Sequence, residues 1–105
     1  MSTYAVTFRI ADKTIGGKTY DDRYQQLVEN VRSKDAGYWE ETTSFFLAES
    51  NLSTEAFAKS AARGLSTNDD LVVTFDPSDL SAAYFGPLKH EDVLRSFFRL
   101  LKKVG

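Results

Sequence analysis

"YWEETTSFFLA", residues 38–48, decides how this chain folds. Tyr38-Trp39-Glu40-Glu41 and Ser44-Phe45-Phe46-Leu47-Ala48 are short, aromatic-rich segments separated by two threonines. Aromatic and β-branched side chains suit the pleated, half-buried surface of a sheet, so the stretch predicts a short antiparallel pair. Two helices in its place would define a different architecture.

Upstream, Tyr4-Ala5-Val6-Thr7-Phe8-Arg9-Ile10 alternates with period two, placing Tyr4, Val6, Phe8 and Ile10 on one face of a strand. A polar, glycine-bearing loop fills residues 12–19. From Tyr20, apolar residues recur at Tyr24, Leu27, Val28 and Val31, the spacing of an amphipathic helix, with a stop expected near Ala36-Gly37. Downstream, Ser53 is the expected N-cap of a second helix whose buried stripe is Phe57, Ala58, Ala61, Ala62 and Leu65. Leu71 to Phe75 reads as a fourth strand and Ser81 to Gly86 as a short fifth. A last helix is expected from His90 to Val104, with Val93, Phe97, Leu100, Leu101 and Val104 along one side. The order predicts an α+β, ferredoxin-like β-α-β-β-α-β sandwich, an antiparallel sheet with both long helices on one face and a C-terminal helix beyond.

The chain of 105 residues is expected to form a single domain spanning residues 1–105. It holds no cysteine, which excludes disulfides, thiolate metal sites and cysteine nucleophiles. Its one histidine, His90, has no partner base or nucleophile and is expected simply at the start of the last helix. A formal charge of −2 offers no basic run for a polyanion. No apolar stretch approaches the ~20 residues of a membrane span, and no signal peptide opens the chain. A cytoplasmic protein without a membrane partner is expected.

Gly16-Gly17-Lys18-Thr19 lies between a strand and a helix, where a phosphate-cradling loop would lie. That motif reads G-x-x-x-x-G-K-[ST], and aligning it here puts Asp12 in place of the first glycine. A β-carbon crowds the turn there, and a carboxylate repels the phosphates that the backbone amides should attract. Leu71-Val72-Val73-Thr74-Phe75-Asp76 imitates an apolar strand ending in a magnesium-binding aspartate, but an antiparallel sheet would not set it beside the loop. No nucleotide is expected. Asp12, Asp21 and Asp22 are oxygen ligands of the type a hard cation takes; the plainer reading has Asp12 in a turn and the other two serving the helix dipole.

With each strand alternating, Ala5, Thr7, Phe46, Val72 and Thr74 are assigned to the sheet face away from the long helices. This small-residue, weakly charged face calls for a cover: the C-terminal helix or a second copy. Trp39, Phe45, Phe46, Tyr84 and Phe85 are read as core or interface aromatics, since neither "YAVTFRI" nor "SFFLAES" carries the glycines and basic residue of an RNA-stacking strand.

Four segments resemble the SinR-like proteins, small relatives of VapD and of the small dimeric subunit of CRISPR spacer-acquisition complexes. They are "YAVTFRI", "GYWEETTSFFLAESNLSTEAF", "STNDDLVVTFD" and the tail "AAYFGPLKHEDVLRSFF". The resemblance implies a ferredoxin-like homodimer. In the CRISPR relatives an aspartate at the first strand's end is associated with metal-dependent nuclease activity; Arg9 holds the matching position here, and a guanidinium cannot ligate Mg²⁺. The expected function is a non-catalytic dimeric module acting through protein contacts or modest nucleic-acid binding, in a defence or toxin–antitoxin setting. Its expected interface is Ala5, Thr7, Val72, Thr74, Tyr84, Phe85 and Phe97, with Arg9 and Lys18 as candidate nucleic-acid contacts. The alternative is a Mg²⁺-dependent ribonuclease using Asp12 and Asp76.

Overall fold

The structure, a computed structural model, describes residues 1–32 and 36–105. Its elements are β1 (Ser2–Arg9), α1 (Tyr20–Val31), β2 (Tyr38–Trp39), β3 (Phe45–Ser50), α2 (Thr54–Ala61), β4 (Leu71–Phe75), β5 (Ala82–Phe85), α3 (Glu91–Phe97) and β6 (Lys102–Lys103). They build a mixed α+β fold around one six-stranded sheet, ordered β2-β3-β1-β4-β5-β6. Every pair is antiparallel except β5 with β6. Residues 38–39 and 45–50 do pair as strands. No helix among the described residues is long and apolar enough to cross a membrane.

Directly opposed residues in a ladder share a face. Val6 lies opposite Phe46 on one side and Thr74 on the other, and Phe8 lies opposite Val72. Phe46, Val72 and Thr74 therefore point with Tyr4, Val6 and Phe8 into the core under α1 and α2, correcting their assignment to the outer face. Phe85 joins them. Alternation gives a strand's period, but only its register gives its phase, and a slip of one residue exchanges the faces. Ala5, Thr7 and Tyr84 do lie on the outer face, the last two in one cross-strand row with Phe45 and Val73.

The main core packs Leu27 and Val31 of α1 and Phe57, Ala58 and Ala61 of α2 onto the inner face. Tyr4 and Phe57 stack with ring centroids 4.5 Å apart. α1 starts at a capping box in which Thr19 Oγ1 accepts the Asp22 N–H and the Asp22 carboxylate accepts the Thr19 N–H. It ends at Val31 with Arg32 as C-cap, short of the expected stop at Ala36-Gly37; residues 33–35 lie outside the described residues. Ser53 caps α2 as expected, its hydroxyl accepting the Ala56 N–H at 3.2 Å.

The tail departs from expectation. The helix stops at Phe97, and the chain then turns and adds β6 parallel to β5. Leu101 is buried in a second core on the outer face and Val104 in the main core, so the two lie on opposite sides of the sheet. Strand alternation achieves that, whereas a single helical stripe cannot. The second core joins Val73, Ala82 and Tyr84 to Leu94 and Phe98 of the α3 region. Val93, Phe97 and Leu100 are left exposed, Phe97 at 71%.

Candidate functional site

The loop at residues 11–19 is built around one buried cation. Arg23, 1% exposed, reaches from the first turn of α1 into the loop. Its Nε donates to Asp70 Oδ2 at 2.9 Å, Nη1 to the carbonyls of Lys13 (2.9 Å) and Lys18 (2.8 Å), and Nη2 to the Ala11 carbonyl at 2.6 Å. Four of the five guanidinium N–H groups are thus occupied. Asp70, fully buried, also accepts the N–H groups of Ala11 and Ser66 at 2.9 Å each. A buried ion pair with most of its lone pairs and donors satisfied within the fold is an organising centre.

Within that loop, Ile15 and Lys18 exchange both backbone hydrogen bonds, at 2.9 and 3.0 Å, across Gly16-Gly17. Both glycines have positive φ, +57° and +82°, as a two-residue hairpin turn of the primed type requires. The carbonyls of Lys13 and Lys18 point inward at Arg23. Gly16-Gly17-Lys18-Thr19 is therefore hairpin turn and N-cap rather than phosphate cradle, and the Lys18 ammonium rests 3.5 Å from the Gly64 carbonyl.

Asp12 is exposed at the C-terminal end of β1, and Asp76 is buried at the C-terminal end of β4. These strands are antiparallel, Arg9 facing Leu71 and Ala5 facing Phe75. At about 3.3 Å per residue the two carboxylates lie at opposite ends of the sheet, at least ~15 Å apart, and cannot share a metal ion. Asp76 Oδ1 instead accepts the Ser78 N–H at 2.8 Å and the Ser78 hydroxyl at 2.7 Å, closing its own turn. Beside it is a 670 Å³ cleft with Tyr4, Thr54, Ser81 and Lys102 among its walls, where the Thr54 and Ser81 hydroxyls stand 2.5 Å apart. Among the described residues no three His, Cys, Asp or Glu side chains converge. Asp22 is spent on the capping box, whose backbone and side-chain bonds from Thr19 hold its carboxyl below the usual range. His90 stands at the N-cap of α3 without a side-chain capping bond. Arg9 is exposed on the outer face, while Lys18 is on the helix side, so the two do not form one surface.

The outer sheet face is where apolar area remains uncovered. One cross-strand row runs Trp39–Leu47–Ala5–Phe75–Ala82 and the next Phe45–Thr7–Val73–Tyr84. α3 covers the β4–β5 end of both rows: Phe98 packs on Phe75 at 4.9 Å, and the Tyr84 hydroxyl donates to Glu91 at 2.5 Å. That bond, with Arg95 at 2.7 Å, holds the Glu91 carboxyl below its usual range and pushes the Tyr84 phenol up. At the other end Trp39 and Phe45 meet edge to face at 6.4 Å and stay partly exposed with Leu47 and Thr7. The sequence reading missed Arg23, Asp70 and the pairing of Phe45 with Thr7. Its one available signal for the first was an arginine four residues before Leu27, in line with the buried stripe.

The chain matches no known family model, no curated protein and no solved structure.

Proposed function

We propose that this chain is a non-catalytic module that pairs with a second copy of itself through the outer sheet face, on a ferredoxin-like framework. The order β2-β3-β1-β4 with α1 and α2 on one face supports the framework. The observation that carries the function is the half-exposed apolar surface of Trp39, Phe45 and Leu47, beside a third helix whose Val93 and Phe97, with Leu100 just past it, also face solvent. The carboxylates best placed for chemistry, Asp70 and Asp76, are meanwhile engaged in hydrogen bonds within the fold.

Area argues for using both parts. Six residues each of β1 and β3 and the two of β2, at ~3.3 Å per residue and ~4.8 Å between strands, offer roughly 200 Å² of sheet. A stable interface buries about 800 Å² per partner, so the α3 ridge must contribute. A twofold contact lets the ridge of each copy cover the bare strands of the other. The interface is then Thr7, Phe45, Leu47 and Phe97, without Val72, Thr74 or Phe85 of the inner face and without Ala5 and Tyr84, which are buried within the chain.

Light scattering after gel filtration tests this. The expected mass is twice 11.8 kDa, falling to one chain in Leu47→Asp and Phe97→Asp. A single-chain mass for the unaltered protein, or a double mass in both variants, overturns it.

A further inference from the structure

The helix side carries a second feature. A groove of 880 Å³ runs between α2 and the sheet's edge, walled by Lys59 and Arg63 and by the main chain of Lys103 to Gly105, over Phe85 and Leu65. β6 pairs only with β5, and it is the edge strand. In that parallel ladder Tyr84 faces Lys103, and the Val104 N–H donates to the Tyr84 carbonyl at 2.8 Å. Alternation then turns the N–H and C=O of Lys103 away from β5, towards open solvent. Lys59 in the last turn of α2 and Arg63 just beyond its C-cap both line the groove, and neither has a carboxylate partner among the described residues. Glu55, the acid lining the groove, lies 3.7 Å from Lys102.

We propose that this groove takes an extended acidic peptide segment of a partner protein, added as a further strand on β6. An unpaired edge supplies main-chain bonds to any extended chain, and side chains then select which chain. The Lys102-Lys103 pair makes the edge repel a second copy of itself, the usual protection of an exposed strand. On the groove side Lys59 and Arg63 attract glutamate and aspartate, while the Lys103 side chain shares the outer face with Tyr84 and Lys102 stands beside Glu55. Strand alternation turns the intervening, apolar side chains of the peptide to the other face of the sheet. The groove is on the face opposite the proposed dimer contact, so the two sites operate independently.

The probe is a short fluorescent peptide alternating glutamate and valine, titrated at low salt. Saturable binding is expected, with amide shifts at Lys103 to Gly105 and along Lys59 to Leu65. The Lys59→Gln/Arg63→Gln double variant should weaken it roughly tenfold, as should replacing the glutamates by lysines. Lys103→Pro, which removes the outward N–H, and N-methylation of alternate peptide amides should each abolish it. Equal binding of the glutamate and lysine peptides, retention in Lys103→Pro, or preferential displacement by oligothymidylate overturns the proposal. Oligomeric mass is unchanged in all these variants, so failure here is distinguishable from failure of the dimer.

Discussion

Asp70→Asn tests whether the buried ion pair organises the N-terminal loop. The substitution keeps size and shape but leaves the 1%-exposed Arg23 without its counter-charge. It also puts an amide where two carboxylate oxygens accept Ala11 N–H, Ser66 N–H and Arg23 Nε. Removing one partner of a buried pair costs about 3–5 kcal/mol, because the other charge stays buried and unpaired. That is a large part of the roughly 5–15 kcal/mol that holds a domain together. Urea unfolding followed by Trp39 fluorescence and circular dichroism reads it directly. With a slope of about 1.5–2 kcal/mol per molar, the midpoint falls by roughly 2 M. Arg23→Met/Asp70→Leu should lose less than Asp70→Asn does, since neither charge then remains and the carbonyls at the exposed loop can turn to water. A loss under about 1 kcal/mol for Asp70→Asn, or a double variant worse than the sum of the single ones, would refute the reasoning.

Gly86 has φ +99°, and a β-carbon there would stand 1.8 Å from the Asp70 carbonyl, so Gly86→Ala should largely abolish folding by circular dichroism. Gly16→Ala meets nothing within 4 Å and should cost only about 1 kcal/mol in urea. The Thr74 hydroxyl is buried with no hydrogen-bond partner among the described residues, so Thr74→Val should raise stability by about 1 kcal/mol; a loss would mean that the hydroxyl is satisfied in solution. Glu91, held below its ordinary 4.5 chiefly by the Tyr84 hydroxyl, contributes stability above that pH and loses it as pH falls through its lowered value. Tyr84, raised above 10.0, contributes below that pH and loses its contribution as pH rises through its raised value. The melting-temperature gap between the native chain and Tyr84→Phe should therefore be widest at intermediate pH and narrow towards both extremes; a pH-independent gap would count against the bond.

Local signals carried the elements and missed the cross-chain ones. Ser53, Leu27 with Val31, and the aromatic pair at residues 38–48 each announce themselves within a few positions, through capping, helical spacing and strand preference. The phase of β4 is different: Val72, Val73 and Thr74 are all apolar or β-branched, so no polar residue marks which side meets water, and only the register with β1 decides. The tail misled for a related reason, because Leu101 and Val104 fit a helical spacing while their burial requires opposite faces. Arg23 and Asp70 are 47 positions apart, and no spacing rule connects them. Asp12 and Asp76 look like ligands only until strand direction separates them.

β1 lies between β3 and β4, and all its partners come late in the chain. Thr7 waits for Phe45 and Ser2 for Ser50, while Arg9 and Ala5 wait for Leu71 and Phe75. Long-range pairing of this kind gives a high contact order, which slows folding because distant segments must meet before any contact rewards the lost chain entropy. During synthesis the first strand emerges with both edges open and stays so until β3 has left the ribosome. Chain elongation at roughly 5–20 residues per second makes that an interval of several seconds. Over that time Tyr4, Val6, Phe8 and Ile10 form an unpaired apolar strand, the kind of segment that holding chaperones bind. Arg9 and Asp12 place charged side chains at its end, where they interrupt the apolar run.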